Sequence, residues 1–479
     1  MQPLHGMDAA FLSLETPTTP LHVGAVLVLD PPEGTRSLFS PTTRHAQIRR
    51  MIGQRLHLVA PLRQRAVRVP MGLHHPVWVD DPEFALDDHL TRASLPDPGG
   101  PAELDAYVAS VMSRPLDPDR PLWEMHIVEG LADDRTAVIA KIHHAILDGV
   151  SGASVLAAFL DVSPRPRVVP MSPEWAPAPL PSSADLLRHA AGGLARQPGR
   201  ALQALQSSVE AVADLGLHAR LVQARGEVPP PGFFSAPRAS FNGAVGSRKR
   251  FTSFRVPVGD VKMIRSMFSC TVNDVVLAGV SGGLRRLLEG RQETVEHALV
   301  AMVPVSTRAE GAGGDLGNQV SGMLVSLATD VDDPVARLAA VSSSARLAKE
   351  HELLHRGRVV GDLAQVAPPA VVSRVARAMA GGRLFDHVRP PFNVTISSVR
   401  GPDSALFCAG SPVVAMYPLG PIAEGIGLNV TVLSYLGHVH FGLFACRSLL
   451  PELDELATAI DDSLGELAGC AIDARGATG

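Results

Sequence analysis

Aromatic residues are scarce in this chain of 479: Phe, Tyr and Trp together supply only 4%. Its cores must therefore be filled mainly by Val, Leu, Ala and Ile. Charge is sparse as well, at 19% of residues, and the 43 Lys and Arg nearly balance the 48 Asp and Glu. So even a balance leaves no global field to attract a polyanion, and nucleic acid is not an expected partner. Cysteine is limited to Cys270, Cys408, Cys446 and Cys470, with no close pair. Reduced thiols and a cytoplasmic setting are expected. Met1 to Glu15 carries two acids and no basic region ahead of an apolar run, so no signal peptide is read. No uncharged apolar stretch reaches the roughly 18 residues that span a bilayer, and any membrane or lipid-droplet contact is expected to be peripheral.

What is present is a hydrophobic fraction of 46%, fit for a folded globular protein. The length exceeds one ordinary core, so two domains or a pseudo-symmetric pair are expected. Leu21 to Leu29 is apolar and β-branched up to Asp30-Pro31-Pro32, and reads as a strand. An Arg-rich helical stretch follows, then a helix over Ala102 to Ser113 and strands over Trp123–Val128 and Thr136–His143. Seven prolines between Pro164 and Pro181 preclude regular structure there. Beyond them Ala184 to Val228 is helical in character, broken at Gln197-Pro198-Gly199, and Pro229 to Gly232 forms a second break. The division read is an N-terminal domain 1–182, a crossover linker 183–235 and a C-terminal domain 236–479.

The most informative stretch is Ala137 to Leu160. Its first part alternates as a strand does, with Val138, Ala140, Ile142 and His144 on one face and Ile139, Lys141 and His143 on the other. Adjacent histidines on extended backbone diverge, so only one can face a given cleft. Asp148-Gly149 reads as a turn, and Ser151 as the cap of a helix from about Ala153. Transfer of an acyl group to an alcohol requires a base for a hydroxyl that barely ionises at neutral pH. A neutral imidazole suits that task, and a positioned base contributes roughly 10²–10⁴-fold in rate. His144 is the candidate base and Asp148 the candidate organiser of the turn. A metal reading is weak, because the two histidines diverge, no further ligand is near and HExxH is absent.

His143 to Gly149, HHAILDG, matches the HHxxxDG signature of the coenzyme A-dependent acyltransferase superfamily. The whole chain resembles one branch of it, the bacterial wax ester synthase/diacylglycerol acyltransferase family. The resemblance runs through MDAAFL at Met7, PLHVG at Pro20, PLRQR at Pro61, RPLWEMHIVEGL at Arg120, FNGAVGSRKR at Phe241, TVNDVVLA at Thr271, and VPVSTR followed by GN over Val303 to Asn318. It implies an α/β fold of two chloramphenicol acetyltransferase-like domains, with mixed sheets flanked by helices, around a central channel. It also implies His144 as base, His143 as a supporting neighbour, and direct attack without an acyl-enzyme. The implied substrates are long-chain acyl-CoA, a co-substrate rather than a bound cofactor, and diacylglycerol. A long-chain alcohol is the alternative acceptor, and a carrier-protein thioester the alternative donor. One departure stands out: Ser398-Val399-Arg400-Gly401-Pro402 replaces the family's usual Asn-Val-Pro-Gly-Pro.

Thr271-Val272-Asn273-Asp274 reads as a capping box opening a helix, with apolar residues at helical spacing onward to Leu288. Asn273 is thus placed in a first turn, where it could face a developing oxyanion. Gly279 to Gly283 fits GxSxG, but it lies inside this helical pattern and lacks the strand and sharp turn of a nucleophile elbow. The glycines are expected to permit close helix packing. His438 and His440 are read on the exposed face of a strand running from Val430 to Cys446, and Arg308 as a candidate partner of Asp148. Ala184–Arg225 and Val371–Leu384 are basic and amphipathic, and are the segments expected to meet lipid if any do.

Overall fold

The computed structural model describes residues 2–4, 6–32, 41–146, 152–170, 175–194, 222–294, 296–306, 320–355 and 369–478. A small sheet pairs Gln2–Pro3 (β1), Gln64–Val67 (β3) and Val77–Asp80 (β4). The first large sheet contains His22–Leu29 (β2), Leu90–Ser94 (β5), Trp123–Glu129 (β6), Thr136–His143 (β7), Phe407–Cys408 (β12) and Ser411–Leu419 (β13), in the order β12-β13-β2-β7-β6-β5. The second contains Lys249–Pro257 (β8), Val300–Ser306 (β9), Val320–Ser326 (β10), Val394–Val399 (β11), Leu428–Tyr435 (β14) and His438–Cys446 (β15), in the order β10-β9-β11-β14-β15-β8. Both sheets mix parallel and antiparallel pairs. Strands β12 and β13 lie beyond residue 236, yet they extend the first sheet: β13 pairs with β2, and β12 with β13.

The helices are Gly6–Leu14 (α1), Pro41–Arg55 (α2), Pro101–Ser113 (α3), Gly152–Phe159 (α4), Ser183–Leu194 (α5), Val258–Met267 (α6), Val272–Gly290 (α7), Pro334–His355 (α8), Pro369–Gly381 (α9) and Leu453–Thr478 (α10). The expected capping box opens α7: Thr271 Oγ1 accepts the Asp274 amide at 3.1 Å, and the Asp274 carboxylate accepts the Thr271 amide at 2.8 Å. Ser281 sits buried in mid-helix and donates to the Leu327 carbonyl, so GxSxG forms no elbow. A Cβ on Gly279, Gly282 or Gly283 would lie within 2.4 Å of Leu464, Ser463 or Ile460, all on α10. The glycines let two helices approach closely, as their spacing suggested.

Strand alternation distributes the apolar residues between cores. Val138 and Ile142 of β7 join Leu27 and Leu29 of β2, Ile48 and Ile52 of α2, and Trp123. Ala137 and Ile139, on the opposite face, join Val26, Val28 and Val108 of α3 together with Phe251, Ala415 and Phe444. That second core therefore draws on both large sheets and binds the halves of the molecule together. A third fills the C-terminal half around α7 and α10. Arg55, buried at the end of α2, pairs with Asp161 at 2.8 Å and donates to the Phe159 carbonyl at 3.1 Å, which ties α2 to the exit of α4. Removing one partner of such a buried pair costs about 3–5 kcal/mol.

The strand expected from Val430 to Cys446 is instead a hairpin, β14 and β15, turning at Leu436-Gly437. His440 is fully buried against Tyr417 and Tyr435, not on an exposed face. Among the described residues no single helix is long and apolar enough to cross a membrane. The bent pair α6–α7 meets the criterion by length and composition, but most of α7 is buried in the C-terminal core.

Candidate active site

β7 is the central positioning element. It is paired on both edges, by β2 and β6, so its end is held in register from either side. Just past that end the His144 amide donates to the Leu21 carbonyl at 3.0 Å, and the Ile146 amide to the His143 carbonyl at 3.0 Å. The chain thus turns at His143 and His144 with the amides of both bonded, the His143 amide to the Leu122 carbonyl at 2.9 Å.

The two histidines diverge, as the pleat requires. His144 is half-buried, and its ring stacks on Phe11 of α1, with centroids 4.1 Å apart and an interplanar angle of 28°. Its Nδ1 is buried without a hydrogen-bond partner. Burial pushes the imidazole down to about 4, and the neighbouring His143 acts in the same direction. At neutral pH the ring is uncharged and able to accept a proton.

His143 is fully buried and faces the other way. Its Nδ1 accepts the Ala145 amide at 3.1 Å. It lies directly across from His22 of β2, and Glu15, at the exit of α1, reaches both rings. The carboxylate approaches His22 Nε2 at 3.3 Å and His143 Nε2 at 3.6 Å, close enough for charge interaction but outside hydrogen-bond geometry. Burial would raise the Glu15 carboxyl, yet His143 and His22 outweigh it and hold the group well below the usual carboxylate range. Burial lowers His22 to about 4 against the pull of Glu15.

The same face of β7 continues with Lys141, fully buried, whose Nζ donates to the Val111 carbonyl at 3.0 Å, to the Arg114 carbonyl at 2.5 Å and to Glu124 at 3.0 Å. It thereby satisfies the open carbonyls at the end of α3. Burial lowers its pKa, and Glu124 works against the shift.

Sequence reasoning found His143 and His144 but gave no role to Phe11, Glu15 or His22. Phe11 and His22 lie inside the MDAAFL and PLHVG segments. No local signal marked His22; the register of β2 on β7 sets it opposite His143. Asp148, Gly149, Ser151, Arg308 and Gly317-Asn318 lie outside the described residues. Asn273 occupies the first turn of α7 as expected, half-buried, and no hydrogen bond joins its amide to His143 or His144. Among the described residues no group of three or more His, Cys, Asp or Glu could hold a metal ion. A cavity of about 610 Å³ opens beside the exit of α1, between Thr16–Thr18, Ala244–Gly246 and the arginines Arg377 and Arg383; His144 is not among its walls.

Residues 4–276 match the family described as the wax ester synthase/diacylglycerol acyltransferase catalytic domain, and residues 316–468 match the WS/DGAT C-terminal domain. A Mycobacterium tuberculosis protein provisionally named diacylglycerol O-acyltransferase is 33% identical over 487 residues, covering 99% of this chain and 91% of its own. A second from that organism, named likewise, is 36% identical over 439 residues, covering 91% and 90%. The solved wax ester synthase/diacylglycerol acyltransferase of Marinobacter aquaeolei VT8 superposes with a TM-score of 0.68 at 29% identity, covering 98% of this chain and all of that one. The first condensation domain of the calcium-dependent antibiotic synthetase shares the fold at 16% identity, with a TM-score of 0.55 over 98% and 96% of the two chains. With family models, relatives and superposed structure in agreement along its length, the chain belongs to the wax ester synthase/diacylglycerol acyltransferase family of acyltransferases.

Proposed function

We propose that this acyltransferase moves a long-chain acyl group from acyl-CoA to diacylglycerol, giving triacylglycerol, with His144 as general base and no cofactor beyond the acyl-CoA co-substrate. The observation that carries the reading is a neutral, half-buried imidazole at the end of β7, in the second position of an HHxxxDG segment. In the proposed step the ring takes the proton of the acceptor hydroxyl as its oxygen attacks the thioester carbonyl. The C–S bond breaks, and the departing thiolate takes that proton back from the imidazolium, so no group of the protein is acylated. Asp148 organises the turn after His144, His143 supports it from behind, and Asn273 polarises the carbonyl from the start of α7. A basic, partly apolar helix is at hand for contact with a lipid surface: α9 exposes Val371 and Val375 beside Arg374 and Arg377.

The test is a coenzyme A release assay with diacylglycerol, long-chain alcohols and short alcohols as separate arms. Diacylglycerol is expected to give the fastest turnover. His144→Ala is expected to stay folded and lose roughly 10²–10⁴-fold in kcat. Near-normal turnover in that variant excludes the base assignment. Labelled acyl-CoA supplied without acceptor should leave no covalent label on the protein, and a stable adduct excludes direct transfer.

A further inference from the structure

Glu15, His22 and His143 form a polar cluster behind the candidate base, with both histidines buried and Glu15 partly so. His143 and His22 are 0% and 1% exposed, and an apolar trio there would cost less to bury. The cluster is also short of hydrogen bonds: Glu15 Oε1, both nitrogens of His22 and His143 Nε2 are buried without a partner that meets hydrogen-bond geometry. The Glu15 carboxylate nevertheless lies close to both rings, 3.3 Å from His22 Nε2 and 3.6 Å from His143 Nε2.

The hydrogen bond from Ala145 fixes the chemistry of His143. A ring nitrogen that accepts an N–H carries a lone pair, so Nδ1 is unprotonated and the ring proton sits on Nε2. That Nε2 points to the side where Glu15 lies, 3.6 Å away, and an ionised carboxylate is an acceptor only. Glu15 therefore favours the one tautomer of His143 that can keep Ala145 in place. Ala145 and Ile146, both held to His143, form the turn that directly follows His144. The same end of α1 meets both histidines: Phe11 stacks on His144, Glu15 faces His143, and the Glu15 amide donates to the Phe11 carbonyl at 3.2 Å. Lys141 is the remaining charge on this face of β7, and it is engaged with Glu124 and the end of α3.

We propose that Glu15 is a positioning residue for His144: from the end of α1 its carboxylate sets the tautomer and orientation of His143, which in turn holds the turn presenting the base. The proposal rests on His144 as the base. Its mechanism is the second-layer logic by which a carboxylate orients a working histidine, carried here through a neighbour instead of directly.

The experiment is Glu15→Gln in the full chain, alone and combined with His144→Ala. Alone it is expected to lower kcat roughly ten- to hundredfold, the scale of a small misplacement of a catalytic group, with KM for acyl-CoA and acceptor changed less than about twofold. In the His144→Ala background it is expected to add nothing, because its effect runs through that ring. A normal kcat in the single variant, or a full additional loss in the double, overturns the proposal. Histidine ¹⁵N spectra of the unaltered protein give a readout independent of turnover and of the variant's folding. His143 is expected as the Nε2–H tautomer, and the Nδ1–H form would overturn the proposal. If His144→Ala alone keeps its activity, the base assignment falls; if that variant is inactive and Glu15→Gln is normal, only the positioning role falls.

Discussion

At the scale of single residues, the depressed pKa of His144 has a kinetic signature. An unperturbed histidine base would lose activity below about pH 6.5. With burial holding His144 at about 4, the ring stays neutral through that range. The expected profile of kcat/KM is flat from pH 7 down to about 5 and falls by half near 4. An acid limb near 6.5 would show that another group governs the rate. The sign for stability agrees: the unfolded chain takes up a proton near 6.5 while the folded ring does not. The stability from burying neutral His144 is therefore full above 6.5 and is lost as pH falls toward 4. The choice of His144 as base rests on the HHxxxDG resemblance, but the divergence of the two histidines was legible from strand alternation. Glu15 and His22 were not. Their relation to His143 comes from strand pairing and from the return of α1 over the sheet, contacts between segments far apart in the chain.

At the scale of elements, the packing of α7 on α10 depends on having no side chain at one helix face. A Cβ on Gly283 would sit 2.4 Å from Ile460 Cγ1 and 2.9 Å from the Ile460 backbone nitrogen, which cannot swing aside. Gly283→Ala is expected to force the helices apart and cost about 1–3 kcal/mol, seen as a lowered Tm. Gly290, at the end of the same helix, meets nothing within 4 Å. Gly290→Ala should leave stability unchanged or raise it by up to ~1 kcal/mol, since alanine is the better helix former. A Gly283→Ala variant as stable as Gly290→Ala would show that the α7–α10 approach does not depend on the missing side chain at Gly283. This helix was readable because cap, spacing and glycine positions agreed. The β14–β15 hairpin was not. Its turn places Leu436 at φ 45° ahead of Gly437 at φ 75°, and leucine is a residue that ordinarily avoids the left-handed region. With no turn residue at Leu436, the two strands ran together into one apolar stretch.

At the scale of the whole molecule, the halves are joined more intimately than a linear division at residue 236 suggests. β12 and β13 cross into the first sheet, and nothing in their own sequence names β2 as the partner. In the other direction α3 packs against β8 of the second sheet, and Asp105 on α3 accepts a hydrogen bond from Ser253 Oγ at 3.2 Å. Burial pushes that carboxyl up to about 7, despite the hydrogen bonds from Ser253 that favour its ionised form. A carboxyl whose folded pKa exceeds its unfolded value destabilises the fold as pH rises: the unfolded chain releases its proton near 3.8, and the folded one only near 7. The penalty thus grows across that window and is complete above 7. Asp105→Asn removes the ionisation while keeping an oxygen for Ser253. It is expected to raise Tm at pH 8, with the gain shrinking steadily toward pH 5, as thermal unfolding of both proteins across that range would record. An unchanged Tm at pH 8 would mean that the carboxylate is well solvated where α3 meets β8, and that the two halves are not held together across a dry contact at this point.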